Sequence, residues 1–267
     1  MFGDWFCVFV LDLGVFGAGL ATATGAVISL AVMCSHFFSR KCTLHLVPVQ
    51  KLFKKLGEIA VTGFSSFFVD VAMGILTVLF NRQIMKYLDS DALAVYATVI
   101  NISTFVQCCA YSVGQAAQPI LSTNYGANNA ARIRQALHLA LGTSMVFAAF
   151  WTGLSELFPQ LYIHIFMRPS AEILAIAPAI IRRYSVSFVL LPVNIFSTYY
   201  FQSILHPKDS FIVSIARGLL VSGLLIFALP ALFAPEAIWW AMPLTELVTS
   251  VYAAYAMRKS LTGLCTN

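Results

Sequence analysis

A few ionisable and amide side chains lie where the surrounding sequence is almost wholly apolar. Asp70 falls within Phe64-Ser-Ser-Phe-Phe-Val-Asp70-Val, Arg217 within residues 210–233 and Glu246 within 237–257. A carboxylate at such depth is costly unless paired or protonated, so it can hold a proton or a sodium ion and release it when access changes. Polar residues recur around these three at helical i+3/i+4 spacing. One series is Gly63, Ser66, Asp70, Gly74, Thr77 and Asn81, and a second is Asn101, Thr104, Cys108, Ser112, Gln115, Gln118 and Ser122. A third comprises Tyr184, Ser187, Asn194, Thr198 and Gln202. That spacing places each series on one helix face. Two uses fit it: the lining of a hydrated cavity, and helix–helix packing through small and hydroxylated groups. Amides and carboxylates favour the cavity more than Ser, Thr and Gly do. The residues expected to face a cation or a substrate are therefore Asp70, Asn101, Gln115, Gln118, Tyr184, Asn194, Arg217 and Glu246. For Asp70, Arg217 and Glu246 alike, a structural ion pair or a snorkelling side chain stands as the alternative.

These residues are set in a chain of 267, of which 60% are apolar and only 10% charged. An average soluble domain is about 45–50% apolar and about 25% charged, so a soluble globular reading fails, as do disorder, collagen and coiled coil. The net charge of +5 comes without a basic cluster interleaved with aromatics, which argues against a nucleic-acid partner. Six cysteines show no CxxC or metal spacing, so neither a zinc site nor a disulfide framework is expected. Gly17-Ala18-Gly19 opens an apolar span with no strand before it, and the Asn101-Ile102-Ser103 sequon lies inside a helix. No nucleophile–base pair or phosphate loop is present. The chain is not expected to be an enzyme or to carry a cofactor.

An apolar helix needs about 20 residues to cross the hydrocarbon core. Seven stretches qualify: 13–38, 58–80, 92–122, 136–158, 176–205, 210–233 and 237–257. The fold expected is an all-α polytopic bundle in the lipid bilayer. Basic residues set its orientation, because Lys and Arg stay on the cytoplasmic side. One set of alternate loops and the carboxyl end carry Arg40, Lys41, Lys51, Lys54, Lys55, Arg132, Arg134, Lys208, Arg258 and Lys259. The other set carries only Arg82, Lys86 and Arg168. The carboxyl end is thus expected in the cytoplasm and the amino end outside. Nothing at Met1 accounts for that crossing, so helices are expected to be missing upstream. Val49, Leu52, Phe53, Leu56 and Ile59 oppose Lys51, Lys54 and Lys55, giving a basic amphipathic segment suited to an anionic leaflet. Pro119, Pro192 and Pro243 interrupt spans and are expected to free carbonyls and permit bending.

Several of these segments together resemble the multidrug and toxic compound extrusion (MATE) transporters, in their bacterial multidrug-efflux branch. Phe64–Val71 resembles the opening of that family's second lobe, as does Gly114-Gln-Ala-Ala-Gln-Pro119-Ile-Leu-Ser-Thr-Asn124-Tyr-Gly126-Ala with the basic loop after it. Gly14-Val-Phe-Gly17-Ala-Gly-Leu-Ala21-Thr22 resembles the motif opening the last helix of the first lobe. Arg183-Tyr184, Tyr200-Phe201-Gln202-Ser203, Arg217-Gly218 and Trp239-Trp240-Ala-Met-Pro243-Leu-Thr-Glu246 follow the later helices in order. The resemblance implies twelve spans in two six-helix lobes. Residues 1–38 would then be the last helix of a truncated first lobe, 39–57 the cytoplasmic inter-lobe linker, and 58–260 the six-helix second lobe. The implied activity is export of small organic cations in exchange for sodium ions or protons, across a bacterial plasma membrane. Asp70 lies close to where many members carry a cavity glutamate. A lipid-linked oligosaccharide flippase of the same superfamily and a non-transporting seven-helix membrane protein are the alternatives.

Overall fold

Long apolar runs in lipid must satisfy their backbone polar groups internally, and a helix does so within a single segment. The computed structural model describes residues 6–10, 12–38 and 52–266, without the side chains of 8, 9, 15, 18, 58–70 and 263–266. Among the described residues there is no strand. The helices are α1 (Gly14–Ser35), α2 (Leu52–Tyr87), α3 (Ser90–Gly126), α4 (Ala130–Leu157) and α5 (Pro159–Phe166). They continue as α6 (Ala171–Ser185), α7 (Leu191–Ser203), α8 (Pro207–Ile215), α9 (Val221–Leu232) and α10 (Ala241–Thr266). Each of the seven expected spans falls on helical structure. Among the described residues, five stretches are long and apolar enough to cross a membrane: Gly19–Phe38, Ser90–Gly126, Ala130–Leu157, Ala171–Ser203 and Pro207–Leu232. The expected span 58–80 lies in α2, largely on side chains outside the described residues. α10 has 26 residues, about 39 Å at the α-helical rise, but Thr245, Glu246, Thr249 and Ser250 dilute its apolarity.

The chain forms two compact units, residues 1–55 and 56–267, with the boundary in the first turn of α2. The first contains α1, apolar around its whole circumference, which is the pattern of a membrane helix. Gly17 in α1 lies so close to the Cys7 carbonyl that an added Cβ would sit 2.6 Å from it. The expected linker at 39–57 falls mostly on residues outside those described.

The second unit is organised around α3, which packs on α7, α4 and α6. Asp89 caps α3 by accepting from the Ala92 N–H at 2.8 Å. The Asn124–Asn129 run makes the turn that follows: Asn128 takes φ 53°, and Asn129 caps α4 through the Arg132 N–H at 3.1 Å. Both tasks suit Asn, which tolerates the left-handed region and bonds local backbone. Close packing takes over where the hydrophobic effect is weak. The Tyr199 ring of α7 occupies the space a Cβ on Gly114 of α3 would need. Around one end of the unit, Phe80, Tyr96, Tyr184, Phe188 and Trp239 form an aromatic cluster, with Phe80 stacked on Tyr96 at 5.0 Å.

Two local expectations need correction. The residues after Pro159, read as a loop, form the short helix α5, for which Pro159 supplies the first turn with a ring that needs no N–H partner there. Pro119 does not break its span: α3 runs continuously through it, leaving the Gln115 carbonyl without its usual helical donor. Pro192 sits instead at the start of α7, after the 3₁₀ turn Val186–Val189 that does interrupt the fifth span.

Candidate functional site

Three of the sequence-expected residues meet in the interior of the second unit. Arg217 donates through Nε to Glu246 Oε1 at 2.7 Å, and Asn194 donates through Nδ2 to Glu246 Oε2 at 2.6 Å. The same Asn194 nitrogen also reaches the Glu246 main-chain carbonyl at 2.8 Å. The Glu246 side chain is wholly buried and that of Arg217 is 10% exposed. Removing one charge from such a pair would strand the other in a medium that cannot solvate it. Local structure delivers the partners. Arg217 lies in a π-helical turn, Ala216–Leu220, between α8 and α9, and such single-turn bulges re-aim side chains at functional sites. Gly218 beside it brings this turn against α2, with Ala72 3.3 Å from where a Cβ would stand. Thr245 and Thr249 flank Glu246 on α10 and bond back to the carbonyls of Ala241 and Thr245, each at 2.7 Å. Two atoms of the network, Asn194 Oδ1 and Arg217 Nη2, are buried with no hydrogen-bond partner among the described residues.

Tyr184 extends the network toward α3. It is buried in the aromatic cluster, 6.4 Å from the Tyr96 ring, and interacts electrostatically with both Glu246 and Arg217. On α3 the buried Ser103 hydroxyl receives Gln107 Nε2 at 3.2 Å. Ser103 and Gln107 face inward on α3 and were not singled out in the sequence. The opposite signs of Arg217 and Glu246, each an ionisable residue in consecutive late spans, were the available clue to the pair.

The α3 series behaves differently. Asn101, Thr104, Cys108, Ser112, Gln115 and Ser122 are all exposed on the surface of this unit, and Gln118 is half-buried. Thr104 and Ser112 satisfy themselves by donating to the carbonyls of Ile100 and Cys108 at 2.9 and 2.8 Å. The Asn101 and Gln115 amides have no such partner among the described residues. Asp70 lies on α2, but its side chain is outside those described, so the structure joins it to neither group. Among the described residues, no three His, Cys, Asp or Glu side chains converge as metal ligands would.

A bundle of membrane-length helices with a buried Arg–Glu–Asn network and an open row of amides has the architecture of a lobe from a multi-pass membrane transporter. Comparison with known proteins specifies it further. The family model described as MatE matches residues 66–227, and the chain belongs to that family, whose members are transporters and not enzymes. The Multidrug export protein MepA of Staphylococcus saprophyticus is 23% identical over 264 residues, covering 97% of this chain and 58% of its own length. A multidrug resistance MATE family transporter of the MOP superfamily, in an outward-facing conformation, matches with a TM-score of 0.88 at 20% identity. That match covers 100% of this chain and 60% of the other. A MOP superfamily transporter from Pyrococcus furiosus, described as having a binding pocket of reverse polarity, matches with a TM-score of 0.87 at 18% identity. It covers 98% of this chain and 60% of its own. The chain therefore spans well under two thirds of the length of these relatives.

Proposed function

We propose that this chain supplies the second lobe, and one helix of the first, of an exporter that moves small organic cations out in exchange for sodium ions or protons. On this reading residues 1–38, 39–57 and 58–260 are the first-lobe helix, the cytoplasmic linker and the six-helix lobe. The helices that complete the first lobe are its partners, and the carboxyl end lies in the cytoplasm. The observation that carries the reading is the open row on α3. Amides turned outward from a membrane bundle are costly against lipid but useful against a hydrated cavity. Their carbonyl oxygens offer an organic cation partial negative charge without a fixed geometry, which suits an adaptable site.

Asp70 is the carboxylate assigned to the coupling ion, because Glu246 already has both oxygens engaged by Arg217 and Asn194. Glu246 and Arg217 are then positioning residues that hold α7, the π turn and α10 together. The flippase and non-transporting alternatives lack a comparable observation. The test uses proteoliposomes holding the chain together with first-lobe helices of a relative, loaded with ethidium. An imposed sodium or proton gradient is expected to accelerate ethidium release, and Asp70→Asn to abolish that acceleration. Gradient-dependent release that is unchanged in Asp70→Asn removes Asp70 from the mechanism. Release that never responds to either gradient overturns the antiport reading.

A further inference from the structure

A groove of about 600 Å³ runs between α3 and α4, beside the amide row and sharing Ser112 with it. At 100° per residue, Val113, Ala116 and Ile120 of its lining centre roughly 110° around α3 from Asn101 and Gln115, with Ser112 at the shared edge. Its two ends differ in chemistry. At the loop end stand Arg132, Asn124 and Gln135, while Ile120, Ala136 and Leu139 line the length beyond. Ile120 and Leu139 are 54% and 73% exposed, so these walls are open at the bundle surface. Alanines on both helices keep the floor low enough to admit a slender chain.

Among the described residues the Arg132 side chain has no ion-pair partner. Asn124 uses one amide hydrogen on the Ile120 carbonyl at 2.7 Å, leaving its second hydrogen for a ligand. From Asn124 to Ser112 the lining extends about 18 Å along α3. That is close to the thickness of one leaflet's hydrocarbon, half of the ~30 Å core. A cation with amide donors at one end of a leaflet-deep apolar trough complements one ligand class. An organic cation would meet repulsion at Arg132, and an uncharged chain would leave it unpaired.

We propose that this groove binds an anionic phospholipid, its phosphate at Arg132 and one acyl chain along Ile120, Ala136 and Leu139. Basic pockets between membrane helices bind anionic headgroups by this combination of charge and depth. The site depends neither on transport nor on the reading of Asp70.

The test places the purified chain in nanodiscs of equimolar phosphatidylglycerol and phosphatidylethanolamine and counts retained lipid by native mass spectrometry. Phosphatidylglycerol is expected to be retained in preference. Arg132→Gln should reduce that retention about fivefold, the contribution of one basic side chain at an anionic surface. Arg132→Lys should keep most of it. Arg134→Gln removes the same charge from the start of the same helix, outside the groove, and should leave retention near wild type. Ala136→Trp fills the trough and should lower retention of either lipid. Equal losses in Arg132→Gln and Arg134→Gln would reduce the effect to general surface charge and overturn the site. So would equal retention of the two lipids, unchanged retention in Ala136→Trp, or no lipid retained by the wild type.

Discussion

The polar series on α3 and the one that runs from α6 into α7 have the same helical spacing, yet the bundle treats them in opposite ways. On α3, Asn101 and Gln115 are turned outward, with no partners among the described residues. From α6 through the 3₁₀ turn into α7, Tyr184, Ser187 and Asn194 are buried and Asn194 is committed to Glu246. Only toward the end of the series does Gln202 come to the surface. The first arrangement leaves hydrogen-bonding capacity for something that comes and goes. The second commits Asn194 Nδ2 and the Arg217 Nε–H to Glu246, tying α7, the π turn and α10 together. A transporter needs both, since a cavity wall that exchanges ligands must be mounted on a lobe that does not rearrange with each one.

The sharpest way to break this contrast is to attack the interior. Glu246→Gln leaves the Arg217 guanidinium buried beside a neutral amide, and loss of one partner from a buried pair costs about 3–5 kcal/mol. Thermal melting in detergent should fall accordingly. Replacing both residues by Met should restore much of the loss, because an apolar pair of similar volume removes the stranded charge. A Glu246→Gln protein that melts like wild type would mean the interior network is not structural. Next in size is Gly114→Ala. The added Cβ meets the Tyr199 ring, and overpacking of this kind typically costs about 1–3 kcal/mol. The same melting assay should register the drop, and trimming the ring with Tyr199→Ala in the Gly114→Ala background should relieve the clash.

The span positions were legible because length and apolarity decide them: α3, α4 and α6 with α7 lie where uninterrupted apolar runs predict. Turn chemistry was partly legible too, since the Asn124–Asn129 run closes α3 and opens α4. What spacing could not show was direction. A face of a helix is defined by period, but whether it points inward depends on neighbours many residues away, so Asn101 and Asn194 looked alike. The Arg217–Glu246 pair joins residues 29 apart through a π turn that no local pattern announces. The eight residues of α5 are too few for a periodic signal, and α3 runs on through Pro119 while packed on α7.

The same ion pair in another setting isolates the role of burial. Arg183 Nη1 lies 2.5 Å from Glu236 Oε2, but these side chains are 36% and 63% exposed. Water solvates either partner when the other is removed, so Arg183→Gln should change stability by about 1 kcal/mol or less. Raising the salt concentration should erode even that. If Arg183→Gln destabilises as much as Glu246→Gln, burial is not what separates the two pairs.

The smallest effect on stability, and the most telling about use, belongs to the open row. Replacing both Asn101 and Gln115 with Leu should shift melting by no more than about 0.5 kcal/mol, as expected of exposed positions. In the reconstituted transporter the same double variant should lose ethidium release. Cys108 lies in this row and is exposed, which makes it a native reporter of water. A thiol reacts as thiolate, so a hydrophilic maleimide should label Cys108 in bilayers only where the row faces a hydrated space. Bound ethidium should slow the labelling. Labelling that proceeds in detergent but not in bilayers would place the row against lipid, and the contrast between an occupied interior and an open wall would then have to be rebuilt around another face of the lobe.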